Sequence, residues 1–345
     1  MSLLNSLTSK MLGDRAPNIA FSLIVIAYDM DRELPRTLHS LSRRYQTGAS
    51  DINYEVIVVD NGSPSPVSRN TVESFGPEFK LLSISDASPS PAAAVNAGVA
   101  QAMGQYVGII IDGARILSPG ILGMAAKAFA IDPNSLVSVA GLHLGPEIQR
   151  HSVKRGYSSA IEDQLLERID WLEDGYRLFE ISCWAGSSNL GWAGPMAESN
   201  CAILPRDLFI ELEGFDEGFS SVGGGLVNLD FYRRCCEAEN LGHITLLGEG
   251  CFHQLHGGVT TGGGSTSPKT FDELQEEYRR LRGKDYVVPQ NRTLLLGEIP
   301  PCAVHLLQQG AAQTLLAKHD AQATHRAHLL AVGLLEYLQS DDAPR

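Results

Sequence analysis

The stretch Gln105-Tyr106-Val107-Gly108-Ile109-Ile110-Ile111-Asp112-Gly113-Ala114-Arg115 most constrains the fold, because an apolar run stops abruptly at a carboxylate, a glycine and a cation. Val107 to Ile111 is too short for a helix and shows no polar alternation. Such a run is what a strand buried on both faces of a parallel sheet requires. The carboxyl end of such a strand opens into a ligand crevice. Ser118-Pro119 follows as a helix start, with serine as N-cap and proline in the first turn.

The neighbouring segments repeat the theme. Phe21 to Ala27 and Glu55 to Val59 are near-continuous apolar runs, and between them Leu34, Leu38 and Leu41 recur at helical spacing. A strand over Lys80 to Ile84 leads to Ser90-Pro91, and then Val95, Val99 and Ala102 mark one helix face, ended by Gly104. Pro119 to Ala130 reads as a further helix and Leu136 to Ala140 as a strand. Residues 20–140 therefore alternate as an open α/β sheet with right-handed crossovers.

From His151 the regularity fails. Trp184 to Pro195, a mixture of Gly, Ser and Trp, suits a mobile loop carrying aromatic faces. Helical spacing returns in Phe271 to Gly283 and in Ala311 to Gln339, joined by a proline-containing link over Pro289 to Pro301. The expected organisation is an N-terminal extension over 1–18, a main domain over 19–265 and a C-terminal helical extension over 266–345. Leu329, Leu330, Leu334, Leu335 and Leu338 form an amphipathic end compatible with packing on the parent domain or with a homodimer.

Composition narrows the function. A formal charge of -13 on 345 residues argues against a nucleic-acid surface, which needs clustered Lys and Arg. A small anionic ligand held locally remains compatible with it. The six cysteines show no C-x-x-C pair and no zinc-like spacing, as expected of reduced thiols in a reducing compartment. No segment approaches the roughly 20 apolar residues that a membrane span needs. A cytoplasmic protein is the expectation.

The strand ends carry Ala27-Tyr28-Asp29 and Asp60-Asn61-Gly62-Ser63, whose carboxylates and amides suit the edge of a base or the hydroxyls of a ribose. Neither G-x-G-x-x-G nor G-x-x-x-x-G-K-[ST] follows strand one, which weakens a dehydrogenase and removes a P-loop. A sugar nucleotidyltransferase is weakened in the same way, since no Gly-rich, basic loop follows that strand.

In order along the chain, SLIVIAYDMDRELPRTLHSL, YEVIVVDNGSP, PAAAVNAGVAQAMGQYVGIIIDGARILSPG, ESNCAILPRDLFIELEGFDEGF, NLDFYRR and FHQLHGG resemble the family-two glycosyltransferases of the GT-A fold. The resemblance spans about residues 20–260. It implies an open, mostly parallel nucleotide-binding sheet flanked by helices. It also implies an inverting transfer of a sugar from a nucleotide-diphosphate donor, a UDP-sugar in the first instance, to a hydroxyl acceptor, as in glycan or cell-envelope polysaccharide synthesis. Under it, Ala27, Tyr28, Asp29 and Asp60 line the base and ribose. Asn96 and Gly98 close over the nucleotide, and Asp112 and Gly113 meet the diphosphate.

Two departures matter chemically. The family carries a D-x-D at the end of the fourth strand, and here Ala114 stands in its second position with Arg115 next. Two arrangements are open: Mg²⁺ or Mn²⁺ held by Asp112 and His256 with Arg115 assisting, or Arg115 alone forking onto the phosphates. The second departure lies at Val227 and Asn228, where the family has Glu-Asp. An inverting enzyme needs a carboxylate to take the acceptor proton, and Asn228 cannot. Asp230 and Glu198 are the candidates for that base. Trp184, Trp192, Asn200, Asp216 and Glu217 are expected on the sugar and acceptor side. The alternative is a GT-A-like module that binds nucleotide or glycan without transfer, because both acidic motifs are incomplete.

Overall fold

A computed structural model describes residues 19–257 and 271–318. The expected N-terminal extension and the leucines at 329–338 lie outside them. The first half alternates strand and helix: β1 (Phe21–Ala27), α1 (Leu34–Ser40), β2 (Tyr54–Asp60), α2 (Arg69–Glu73), β3 (Phe79–Ser83), α3 (Ala92–Ala100) and β4 (Tyr106–Ile110). Next come β5 (Arg115–Leu117), α4 (Ile121–Ile131), β6 (Ser135–Leu144), α5 (Gln149–Ser152) and α6 (Ser159–Ile169). The remainder is β7 (Ser182–Trp184), β8 (Ala202–Pro205), α7 (Arg206–Glu211), α8 (Val227–Glu237), β9 (Gly242–His253), α9 (Phe271–Arg282), β10 (Leu294–Gly297) and α10 (Val304–Lys318).

All strands join one sheet in the order β10-β9-β6-β8-β4-β1-β2-β3, with β5 on β9 and β7 on β6. Along that path β8 alone runs against its neighbours, so the sheet is open and mostly parallel, as expected of the GT-A class. Every residue of β1, β2 and β4 is buried, which explains why these strands read as unbroken apolar runs. Helices cover both faces and give two hydrophobic clusters, one on each side of the sheet. The fold is a mixed α/β sandwich of helix, sheet and helix.

Three local outcomes differ from the sequence reading. The helix α6 sits where no regular element is expected; it is started by Ser158, whose side chain accepts from the Ile161 N–H, and it buries Leu166 and Ile169. The proline-containing link supplies β10, which lengthens the sheet beside β9. The C-terminal part is thus stitched into the main sheet, and Trp184 Nε1 donates to the Leu306 carbonyl at its far end. Among the described residues no helix is long and apolar enough to cross a membrane.

Gly98 in α3 shows how tightly the helices lie on the sheet. A Cβ there meets Ile24 Cγ2 at 2.5 Å and Val59 Cγ2 at 3.0 Å. Gly98 is therefore a packing glycine, which lets α3 lie close on β1 and β2. Gly98→Ala is expected to lower stability by about 1–3 kcal/mol, read as a reduced urea midpoint at unchanged slope. A midpoint equal to that of the wild type refutes the tight α3 contact.

Candidate functional site

The carboxyl ends of β1, β2 and β4 form a common rim. Ala27 pairs with Asp60 across β1 and β2, and Val25 pairs with Ile110 across β1 and β4. Asp112 lies two residues beyond Ile110. It and Asp60 thus flank the end of β1 about two strand spacings apart, or roughly 10 Å. Asp60 is buried, and its two oxygens accept the N–H groups of Ser63 at 2.9 Å and Val67 at 3.0 Å. Those bonds shape the loop beyond β2. Asp29 adopts a left-handed backbone (φ 53°), which aspartate tolerates better than most residues, and its N–H donates to Ser63 Oγ at 3.0 Å. Ala27 is buried beneath them, and Tyr28 stands 53% exposed at the same edge.

Asp112 and Arg115 form a close ion pair. Arg115 Nε and Nη2 both reach Asp112 Oδ2 at 2.8 Å, and the Ala114 N–H donates to Oδ1 at 3.1 Å. Thr37 of α1 fastens this turn from behind: its hydroxyl donates to the Gly113 carbonyl at 2.7 Å and accepts the Arg115 N–H at 3.0 Å. Burial alone pushes Asp112 upward, but the Arg115 charge, with help from His256 and the hydrogen bonds, holds it below the usual carboxylate range.

Beyond Ala114 the chain enters β5, which pairs antiparallel with β9 so that Arg115 faces His253. That pairing brings the late histidines to the rim. One ligand atom from each of Asp112, His253 and His256 lies within 4.8 Å of the others. His253 Nε2 is 3.1 Å from His256 Nε2. His253 Nδ1 is 2.6 Å from Gln149 Oε1, while Gln149 Nε2 donates to the His253 carbonyl at 2.9 Å. Burial, then the nearby Arg115 charge, keeps His253 well below its ordinary value, and burial also lowers His256. His143, whose ring is tilted against that of His253 with centroids 5.2 Å apart, falls to about 3 for the same two reasons.

The His253-to-His256 segment is clamped on both sides. Gln254 N–H donates to the Ala114 carbonyl at 2.8 Å, and Gln254 Nε2 donates to the Glu33 carbonyl at 3.1 Å. Leu255 N–H donates to Glu162 Oε2 at 2.8 Å, and its carbonyl accepts from Arg32 Nη1 at 3.0 Å. Arg32 also donates to Glu162 Oε1 at 3.1 Å and to Asp163, while Tyr157 donates to Glu162 Oε2 at 3.2 Å. Burial outweighs these bonds and moves the Glu162 carboxyl from its ordinary 4.5 to about 7.

A second carboxylate, Glu198, acts on Arg115 through its charge. Glu198 is partly exposed, and its charge raises the Arg115 guanidinium along with that of Asp112. Asn228 Nδ2 donates to Glu198 Oε2 at 2.5 Å and to Asn200 Oδ1 at 3.3 Å, and Asn200 Nδ2 reaches Glu198 Oε1 at 3.4 Å. The residue standing in for the family's aspartate thus holds a glutamate from another segment.

Several expected site residues have other partners. Asp230 is fully buried, with Arg282 on both oxygens at 2.7 Å and Arg234 on Oδ2 at 2.9 Å. Both its oxygens are engaged by guanidinium groups and closed off from solvent, so it does not share the rim with Arg115 and Asp112 as its expected role as base would require. Asp216 pairs with Arg282 at 2.7 Å, and Glu217 accepts from Asn96 at 2.9 Å. Asn96 also exchanges two bonds with the Phe215 backbone, so it ties α3 to that loop. Trp184 and Trp192 are buried, meet edge to face at 4.7 Å and donate to the Leu306 and Glu249 carbonyls. They are core residues with no face for a sugar, which corrects the mobile aromatic loop. His253, Gln149 and Glu162 escaped the sequence reading. The end of a long β-strand signals the first, and the Ser158 cap before Leu165, Leu166 and Ile169 signals the helix that carries the last.

Comparison with known proteins adds the following. The family described as glycosyl transferase family 2 matches residues 22–173, a span that contains Asp60, Asp112 and Arg115 but not Glu198, His253 or His256. No curated protein sequence matches significantly. Among solved structures, residues 1–349 of S. aureus TarS are 14% identical, with 94% of this chain and 76% of that one covered at a TM-score of 0.48. A longer S. aureus TarS structure is 15% identical, with 86% and 43% covered at 0.46. The Pyrobaculum calidifontis mannosyltransferase PcManGT, in complex with GDP-Man and Mn²⁺, is 19% identical, with 98% and 88% covered at 0.43.

The Glu162 clamp generates a pH prediction. Its folded value of about 7 exceeds its ordinary 4.5, so the folded chain binds the extra proton between those limits. The stability this provides is full below about pH 4.5 and is lost as pH rises through 7, by about 3 kcal/mol in total. Glu162→Gln removes that dependence. Urea midpoints of the two proteins, measured from pH 4.5 to 8, are expected to diverge with the variant gaining at high pH. Parallel curves would refute the shift.

Proposed function

We propose, from the family-two glycosyltransferase domain that residues 22–173 form, that this protein transfers a sugar, with inversion, from a UDP-sugar to a hydroxyl acceptor. The observation that carries the reading is the ion pair of Arg115 with Asp112 at the strand ends, together with a second carboxylate, Glu198, held by Asn228 and Asn200 and close enough for its charge to act on the same guanidinium. The base and ribose lie along the rim of β1 and β2, against Tyr28, Asp29 and the loop shaped by Asp60. The diphosphate meets Arg115, whose guanidinium forks onto phosphate oxygens and stabilises the charge that develops as the sugar departs.

Glu198 takes the proton from the acceptor hydroxyl while that oxygen bonds to the anomeric carbon on the face opposite the leaving phosphate. Asn228 and Asn200 orient it. Asn228 donates to one oxygen, which leaves the other, with its longer contact to Asn200, for the acceptor. Buried, neutral imidazoles and an ionised carboxylate are a fitting donor set for a divalent cation, and Asp112 and His256 would hold it. A cation bound there would add Lewis-acid stabilisation to the diphosphate.

The rival reading, a module that binds without transfer, draws on Asn228 and on the sequestered Asp230. Purified protein assayed for nucleotide release separates the two. Glu198→Gln is expected to lower transfer roughly 10²–10⁴-fold while calorimetry shows unchanged UDP affinity, and Asp112→Ala is expected to abolish donor turnover. UDP binding with no turnover across a broad acceptor panel would establish the module, and full activity in Glu198→Gln would remove it as the base.

A further inference from the structure

We propose that β10 is a pairing edge at which two copies of this chain join strand to strand, antiparallel, about a two-fold axis at Leu295. β10 closes one side of the sheet, and among the described residues no strand pairs with its outer edge. Its parallel ladder with β9 uses one side of the strand, so the N–H and C=O groups of alternate residues point outward. An edge of this kind is a template for another strand unless proline, lysine or a bulge guards it. Leu294, Leu295 and Leu296 supply neither proline nor charge.

The sequence of the edge selects a second copy as its occupant. Arg292-Thr293-Leu294-Leu295-Leu296-Gly297-Glu298 is complementary to itself when turned end for end. With Leu295 opposite its own counterpart, Leu294 meets the partner's Leu296, Thr293 the partner's Gly297, and Arg292 the partner's Glu298. The two-fold axis makes the last contact twice. Arg292 and Glu298 are both exposed, and neither has an ion pair among the described residues. Opposite charges directly across two strands stabilise the pairing, and like charges oppose it. Parallel pairing in register would set arginine on arginine and glutamate on glutamate, so the charges favour the antiparallel, closed arrangement.

The apolar surface agrees with the charges. Leu294 is 50% exposed and Leu295 38%, on opposite faces of the strand, so both faces of the edge are open at once. Leu296 packs on the cluster beneath α4, and Leu294 shares its face. Ile131, 57% exposed at the end of α4, lies toward the start of β10: its neighbour Asp132 rests against Gly242, two residues before the Ile244 that pairs with Leu294. A second strand on β10 covers Leu295 with its own counterpart and Leu294 with the partner's Leu296, and the two sheets become one.

The inference does not depend on the transferase reading. Sedimentation velocity on the full chain at up to about 100 μM, where a small interface of this kind assembles, is expected to show a dimer. Arg292→Glu and Glu298→Arg each set like charges opposite one another and are expected to weaken the dimer about tenfold or more. An equimolar mixture of the two variants, or the double variant Arg292→Glu/Glu298→Arg, is expected to recover it. Leu295→Cys is expected to cross-link to itself under mild oxidation, and Leu294→Cys is not, because its counterpart lies on a diagonal roughly 7–8 Å away. Circular dichroism checks the fold of each variant, and if one charge reversal fails to fold, the other and the cysteine pair carry the test. A wild-type chain that stays monomeric overturns the proposal. So does a dimer indifferent to both charge reversals, which means that another surface, residues 319–345 included, holds the copies together. Loss of the dimer in the single variants with no recovery in the mixture overturns the antiparallel register.

Discussion

Everything at the rim depends on the antiparallel pairing of Arg115–Leu117 with Cys251–His253. Three ladder positions bring together two parts of the chain that lie well over a hundred residues apart. Side chains alternate across a sheet, so a slip of one residue would send the His253 ring to the opposite face and empty the cluster. The register is protected by what lies behind it: Ile116, Leu117, Cys251 and Phe252 are fully buried, and the Ser118 N–H continues the ladder to the Gly250 carbonyl. The hydrophobic effect thus fixes a geometry that electrostatics then uses.

The charges at the site balance in a particular way. Asp112 and Arg115 neutralise one another, and the adjacent imidazoles stay neutral because burial and the Arg115 charge both oppose their protonation. A lone buried ion would be costly, whereas this pair has three hydrogen bonds and partial access to water. The result is a rim at which a paired guanidinium and neutral imidazoles lie side by side. The clamp of Arg32, Glu162 and Tyr157 on Leu255 keeps the histidine segment from relaxing when the charge distribution changes.

The sheet was legible because a strand buried on both faces leaves no polar alternation, and β1, β2 and β4 all have that character. Asp112, Arg115 and His256 were legible as residue types at the ends of such strands. What sequence does not display is which carboxylate has spare acceptor capacity. Asp230 and Glu198 look alike in a string of letters, yet one is locked between Arg234 and Arg282 and the other is held by amides. The tryptophans failed for the opposite reason: glycines around Trp184 and Trp192 suggest a mobile loop, but the Gly191 backbone lies against Gly310 and both indoles are capped by carbonyls. The helix that carries Glu162 has a polar average composition, so its few buried positions were outweighed by its charged ones.

The departure at the second acidic motif has a physical counterpart at Asn228. An aspartate at that position would place a second negative charge within hydrogen-bond distance of Glu198, and a like charge so close disfavours the ionised form of both. Asparagine removes the charge and supplies an N–H that fixes Glu198 in place. Glu198 is thereby a single carboxylate with its orientation set by two amides, the arrangement that the proposed transfer asks of its base. Restoring the family's aspartate at 228 without removing Glu198 would recreate the repulsion. On the proposed transfer, the carboxylate is supplied from the segment before β8, with the asparagine at the start of α8 as its hydrogen-bond partner.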